Sequence, residues 1–195
     1  MTEFIPDPLA AALYLVIAMS TAGLVHVAWL RSRVAKGFSA PLDRGLTLRG
    51  RRLLGDNKML RGFVAMPPAA ALSFVLWGAI WGRLPLATDL WPLTTSQFAL
   101  LGFACGIAFM LAELPNSFVK RQLDIVPGHA ASSAPLRALF FIVDRCDSVL
   151  GVLILTSLLL PLPALTWLWV LLLGPCMHAM FSILLHRVGV KARAL

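Results

Sequence analysis

Leu9-Ala10-Ala11-Ala12-Leu13-Tyr14-Leu15-Val16-Ile17-Ala18-Met19-Ser20-Thr21-Ala22-Gly23-Leu24-Val25-His26-Val27-Ala28-Trp29-Leu30 contains no acidic residue, lysine or arginine. Its length decides the fold. A helix rises about 1.5 Å per residue, so crossing a hydrocarbon core about 30 Å thick takes about 20 apolar residues. The stretch at 9–30 meets that requirement, and four more follow at roughly 63–82, 97–115, 139–161 and 164–185. The flank before the first carries Glu3 and Asp7 instead of basic residues. Its apolar run also exceeds that of a signal peptide, so it is expected to stay as the first span.

The composition agrees with this reading. Of 195 residues, 59% are hydrophobic and 13% charged, against about 25% charged in soluble domains. Disorder, collagen and a small disulfide scaffold are excluded. The 17 Lys and Arg outnumber the 9 Asp and Glu, for a net charge of +8, and their placement sets the orientation. Segment 31–62 holds Arg31, Arg33, Lys36, Arg44, Arg49, Arg51, Arg52, Lys58 and Arg61. Segment 116–138 holds Lys120, Arg121 and Arg137, and the tail holds Arg187, Lys191 and Arg193. The other side has only Arg83. Cytoplasmic loops carry the basic excess, so the expected architecture is an all-α, multi-pass protein of the cell (inner) membrane with five transmembrane helices, N-terminus outside and C-terminus in the cytoplasm. Residues 1–195 form one membrane domain with cytoplasmic loops at 31–62 and 116–138. The basic surplus follows membrane topology, so no nucleic-acid partner is expected. Pro67-Pro68 is expected to kink the second span and Pro175 to bend the fifth. Cys105, Cys146 and Cys176 show no metal or redox spacing and read as small core residues.

Ionisable groups inside spans are costly and mark sites. Asp144 and Asp147, in Phe140-Phe141-Ile142-Val143-Asp144-Arg145-Cys146-Asp147-Ser148, lie three residues apart on one helix face. Either they hold a hard cation such as Mg²⁺, completed by water and phosphate oxygens, or they form a self-neutralising knot with Arg145. A second cluster is Glu113-Leu114-Pro115-Asn116-Ser117-Phe118-Val119-Lys120-Arg121. With a helix starting at Pro115, Ser117, Lys120 and Arg121 share a face near free N–H groups and suit a phosphate; the alternative is a basic juxtamembrane flank. In the first loop, Gly55-Asp56-Asn57-Lys58 and Arg61-Gly62 combine backbone N–H groups with cations, as a polyphosphate requires. Attraction to anionic lipid headgroups is the competing reading. His26 and His178 are single intramembrane histidines, read as helix–helix hydrogen-bonding groups.

These motifs, in order, resemble the CDP-archaeol synthase family, which is similar to bacterial phosphatidate cytidylyltransferases. The first loop is similar to P-x-D-x-G...G-R-R-x-L-G-D-x-K-T-W-R-G through Pro41, Asp43, Gly45, Gly50, Arg51, Arg52, Leu54, Gly55, Asp56, Lys58, Arg61 and Gly62. The end of the third span resembles D-x-x-x-S-x-x-K-R through Ser117, Lys120 and Arg121. The fourth resembles D-x-x-D-x-x-x-G and D-R-x-D-S through Asp144, Arg145, Asp147, Ser148 and Gly151, and the fifth P-x-x-H through Pro175 and His178. Departures are Met59-Leu60 for Thr-Trp, Glu113 for Asp and Ser182 for Asn.

The resemblance implies CTP-dependent conversion of a lipid phosphate to a CDP-lipid and pyrophosphate. It implies Mg²⁺ at Asp144, Asp147 and Glu113, with Asp144, Asp147, Lys120 and Arg121 catalytic. Lys58, Arg61, Gly55, Asp56, Ser117, Arg145, Ser148 and His178 would contact substrate. CTP, lipid phosphate and membrane lipids are the implied partners, and a homodimer stays open. A CDP-alcohol phosphotransferase is disfavoured because its D-G-x-x-A-R...G-x-x-x-D-x-x-x-D pattern is missing. A non-catalytic binding homologue and a small transporter are the competing readings.

Overall fold

The computed structural model describes residues 4–84 and 89–187. Five helices cover the expected spans: α1 Pro8–Leu30, α2 Leu60–Trp81, α3 Thr95–Gln122, α4 Ala134–Leu159 and α5 Ala164–Arg187. Among them α1, α2 and α3 are long and apolar enough to cross a membrane, while the apolar part of α5, Ala164–Met177, is shorter. Local chemistry sets the helix starts. Asp7 accepts from the N–H groups of Leu9 and Ala10 at 3.0 and 2.8 Å, just ahead of Pro8, and Thr94 forms a capping box with Gln97 at the start of α3.

The helices close into a ring. Each packs on the next in sequence, and α5 returns to α1. Without a hydrophobic drive between helices in lipid, small residues let the backbones approach. A Cβ on Gly106 of α3 would lie 2.6 Å from Pro67 Cα, and one on Gly151 of α4 would lie 2.5 Å from Ala112 Cβ. Helix α2 continues through Pro67 and Pro68, with Gly106 seated against that turn. Ser73 Oγ donates to Ala18 O at 2.7 Å, and Trp77 Nε1 to Thr21 Oγ1 at 3.0 Å, tying α2 to α1.

One end of the ring is filled. Tyr14 is fully buried, donates to Phe74 O at 2.7 Å, and stands edge-on to Phe74 and Trp81 with Phe98 alongside. Trp91 Nε1 donates to Pro161 O at 2.9 Å and Thr166 Oγ1 to Pro8 O at 3.2 Å, closing the connections over the same end.

Three expectations change. The first loop adds a 3₁₀ turn at Val34–Phe38 and a small hairpin, β1 Thr47–Leu48 with β2 Arg51–Arg52. Its turn residues Arg49 and Gly50 have φ of 52° and 78°, the two positive values a type I′ turn requires. Second, Pro115 does not start a helix: α3 runs through it, so Ser117, Lys120 and Arg121 occupy the helix's C-terminal turns, where there are no free N–H groups. Third, the cysteines divide: Cys105 is buried and Cys146 partly so, but Cys176 is exposed on the outer surface, and all three are free thiols.

Candidate active site

The polar side chains predicted from two separate helices meet at the end of the ring opposite Tyr14. Asn116 of α3 is the junction. Its Nδ2 donates to Asp144 Oδ1 at 2.6 Å and to Asp147 Oδ2 at 2.9 Å. Lys120, one turn on, pairs with Asp144. Asp147 Oδ1 accepts from the N–H of Ser148 at 2.7 Å, and Ser148 Oγ lies 2.9 Å from Glu113 Oε1. Glu113 in turn pairs with Lys58 of the first loop. One continuous polar network therefore joins the loop, α3 and α4.

The self-neutralising Asp–Arg–Asp knot is not formed. Arg145 turns back along α4, donates to Phe141 O at 2.7 Å, and lies 3.4 Å from the Phe141 ring centroid. Both carboxylates are left facing α3.

The first loop is shaped by one buried carboxylate. Asp43 accepts from the backbone N–H groups of Gly45, Leu54 and Gly55 at 3.1, 2.9 and 3.0 Å, and pairs with Arg52 at 2.6 Å. The Arg52 guanidinium, helped by these N–H groups against the cost of burial, holds the Asp43 carboxyl well below the usual carboxylate range. Arg52 also reaches Asp56 at 2.8 Å and is itself shifted upward by the Asp43 contact. Arg51 pairs with Asp124 at 2.5 Å and with Gln122 O, strapping this loop to the one after α3. Gly55, at φ 90°, then rests against Arg121: a Cβ there would fall 3.2 Å from Nη1 and 3.0 Å from Pro127 Cγ. Arg121 is buried, and its Nε and Nη1 have no partner among the described residues. A buried cation without an acceptor is an anion site in waiting. Ser117 is buried on the same helix face.

Beside this network the ring encloses a cavity of about 410 Å³. Lys58, Arg61, Glu113, Asp144 and Arg145 line its mouth, and Leu15, Val16, Val152 and Val170 line its depth. Ser148 borders it as well, whereas Gly55, Asp56, Ser117, Lys120, Arg121 and Asp147 are not among its walls. Asp144 joins cavity and network, lining the one while held by Asn116 and Lys120 in the other. The side chains of His178 and Ser182 fall outside the described residues, as do Glu3, Lys191 and Arg193. Asn116 had escaped the sequence reading. Its signal was an uncharged amide on the Glu113–Ser117–Lys120 face, at the end of a span.

The oxygens here suit a hard divalent cation. No three of His, Cys, Asp and Glu converge on one point among the described residues, and both Glu113 oxygens are occupied by Lys58 and Ser148. Mg²⁺ takes only one or two carboxylates, with water and phosphate supplying the rest. The Asp144–Asp147 pair meets that need, and beside it Asn116 Oδ1 is buried with no partner.

Comparison with known proteins gives this arrangement a context. Residues 11–194 match the family model described as CarS-like, CDP-archaeol synthase. The chain is similar to the CDP-archaeol synthase of Thermofilum pendens, 34% identical over 155 residues, covering 77% of this chain and 64% of that protein. It is also similar to those of Methanospirillum hungatei, at 31% over 80% of this chain and 89% of the relative, and Halobacterium salinarum, at 32% over 81% and 84%. A solved structure described as an intramembrane enzyme for archaeal membrane lipids biosynthesis superposes with a TM-score of 0.62 at 25% identity, covering 92% of this chain and 96% of that one. With nearly its whole length matched to the family model and its helices laid out like those of an intramembrane enzyme, the chain is a membrane protein that belongs to the CDP-archaeol synthase family and is an enzyme of the nucleotidyltransferase class.

Proposed function

We propose that the protein transfers the cytidylyl group of CTP to a lipid phosphate, giving a CDP-lipid and pyrophosphate. The observation that carries this reading is the position of Asp144, which lines an amphiphilic cavity and pairs with Lys120, the neighbour in sequence of buried Arg121. The cavity, polar at its mouth and apolar below, suits a lipid whose phosphate stays at the membrane surface. The cations beside it, Lys120 on Asp144 and buried Arg121 against Gly55, suit the phosphates of a nucleotide. Topologically, the reading takes residues 1–195 as one five-span domain of the cell membrane, with both loops and the C-terminus cytoplasmic, following the basic residues.

In this reaction a phosphate oxygen of the lipid attacks the α-phosphorus of CTP. The new O–P bond forms as the bond to the β-phosphate oxygen breaks, and the electron pair leaves on pyrophosphate. Two anions must meet, so the work is positioning and charge compensation. Lys58 and Arg61 face the lipid phosphate from the cavity mouth; Lys120 and Arg121 face the nucleotide. Asp144 and Asp147 would hold Mg²⁺, which when bound supplies screening between the anions and stabilises the leaving charge. Asn116 fixes the spacing of the two carboxylates, and Glu113 holds Lys58 in place. No protein nucleophile is required.

Purified protein incubated with CTP, Mg²⁺ and a panel of lipid phosphates tests this. Pyrophosphate and a CDP-lipid are expected in equal amounts, with turnover lost in Asp144→Asn and Asp147→Asn. Nucleotide binding without any CDP-lipid, or full turnover in both variants, would overturn the reading.

A further inference from the structure

Helix α3 ends in a Schellman cap. The N–H of Asp124 donates to Arg121 O at 3.1 Å and that of Ile125 to Lys120 O at 2.9 Å. Two features set this cap apart. Its turn residue is Asp124, at φ 57°, where glycine is the usual occupant because a Cβ is strained there. The last helical carbonyl, Gln122 O, takes no backbone donor among the described residues. Arg51 of β2 accounts for both: Nη1 donates to Gln122 O, and Nη2 pairs with Asp124 at 2.5 Å. Its charge also meets the negative end of the helix dipole. Gln122 returns the contact, its Nε2 donating to Arg52 O at 3.3 Å. An aspartate held in a glycine conformation, with its carboxylate turned to another loop, points to a purpose beyond ending a helix.

That purpose follows from what the two loops enclose. Arg121 directly precedes Gln122, is buried, and has no partner for Nε or Nη1 among the described residues. No hydrogen bond from those two nitrogens fixes the direction of the guanidinium, so its walls must. One wall is Gly55, four residues beyond Arg51; the other is Pro127, three beyond Asp124. They meet where a Cβ on Gly55 would lie, 3.0 Å from Pro127 Cγ and 3.2 Å from Arg121 Nη1. Each wall belongs to a different loop, and the Arg51–Asp124 pair joins those loops.

We propose that Arg51 is a positioning residue for the nucleotide end of the site: by completing the cap of α3 and pinning the second loop through Asp124, it holds the enclosure that aims Arg121. This rests on Arg121 facing the nucleotide in the proposed reaction. It adds a residue that acts on CTP without touching it.

The test uses wild type, Arg51→Ala, Arg51→Lys and Asp124→Gly in detergent micelles with Mg²⁺. Equilibrium CTP binding is measured first, then kcat, the KM for CTP and for lipid phosphate, and Tm. In Arg51→Ala, CTP affinity falls up to about tenfold, with kcat and the KM for lipid phosphate unchanged. Arg51→Lys, a single charge that cannot fork to both acceptors, recovers part of the loss. Asp124→Gly separates positioning from folding. Glycine relieves the strained turn, so Tm holds, while loss of the ion pair lowers CTP affinity by up to about fivefold. Arg51 and Asp124 are 46% and 66% exposed, so the ratio of Asp124→Gly to wild-type affinity moves toward one in about 0.5 M salt. Unchanged CTP affinity in Arg51→Ala, equal losses for CTP and lipid phosphate, or a fall in Tm that tracks affinity across the variants would overturn the proposal. Wild type that binds no CTP would overturn it together with the proposed reaction. CTP binding that weakens in Arg51→Ala, with no CDP-lipid formed even by wild type, would refute the reaction and leave this role standing.

Discussion

Removing the Asp43 carboxylate is expected to open the first loop while leaving the helical ring intact. Asp43 accepts three backbone N–H groups, from Gly45, Leu54 and Gly55, at 2.9–3.1 Å, and its side chain is fully buried. In Asp43→Ala those three donors lose their acceptor. Of these only the Gly55 N–H is buried, the other two being partly open to water; one buried donor left unsatisfied costs about 1–3 kcal/mol, and the loop loses that much. At about 1.4 kcal/mol per factor of ten, its opening equilibrium rises roughly tenfold to a hundredfold. The reporter is the Leu53 amide, which bonds to Leu46 O at 3.0 Å and makes no contact with Asp43. Its hydrogen exchange should accelerate by that factor, while amides around Tyr14 in α1 keep their protection. CDP-lipid formation should fall in parallel, because Gly55 and Lys58 depend on this loop for their positions. Unchanged Leu53 exchange in Asp43→Ala would refute the claim that one carboxylate organises the loop.

Three further outcomes follow from the same geometry. Because the Asp43 pKa is lowered on folding, its stabilisation is complete above the unfolded carboxylate value and is lost as pH falls through the folded one; pepsin should therefore cut the loop only well below about pH 4, and in Asp43→Asn this acid-dependent step should vanish. Gly151→Ala sets a Cβ 2.5 Å from Ala112 Cβ and 2.7 Å from the Ala108 carbonyl. The resulting overpacking of about 1–3 kcal/mol should lower Tm and, by separating α3 from α4, weaken the Asn116 bridge and reduce turnover. Gly55→Ala combines a φ of 90° with contact on Arg121, so strain of about 1–2 kcal/mol should raise the KM for CTP with Tm of the helical body little changed; an unaltered KM would separate Gly55 from nucleotide binding.

The helices were legible because twenty-odd apolar residues in a row admit few other structures, and their boundaries fall within about five residues of the expected spans, save that α3 runs on to Gln122. Asp144 and Asp147 were legible because charge inside a span is rare. Pro115 misled: a proline removes one hydrogen bond, and α3 continues through that loss, so Ser117, Lys120 and Arg121 sit at a helix end opposite to the one expected. The hairpin at 47–52 was invisible because two-residue strands have no periodicity, and its only signal is a pair of positive φ angles. Asn116 was missed because an amide carries no charge to betray its location, although it hydrogen-bonds both aspartates. Arg121 was identified by type, but its burial against Gly55 depends on two loops meeting, which no local pattern encodes.

The aromatic cluster of Tyr14, Phe74, Trp81 and Phe98 makes the ring a cup instead of a tube. A cup has one rim. In the proposed reaction, nucleotide from the water and lipid from the adjoining leaflet would enter across that rim, and pyrophosphate and the activated lipid would leave on the same side. That reaction would be confined to one leaflet, with the filled end closing the way through the fold among the described residues. Its lipid product would be deposited on that one face, and populating the other would require a separate means of moving headgroups across.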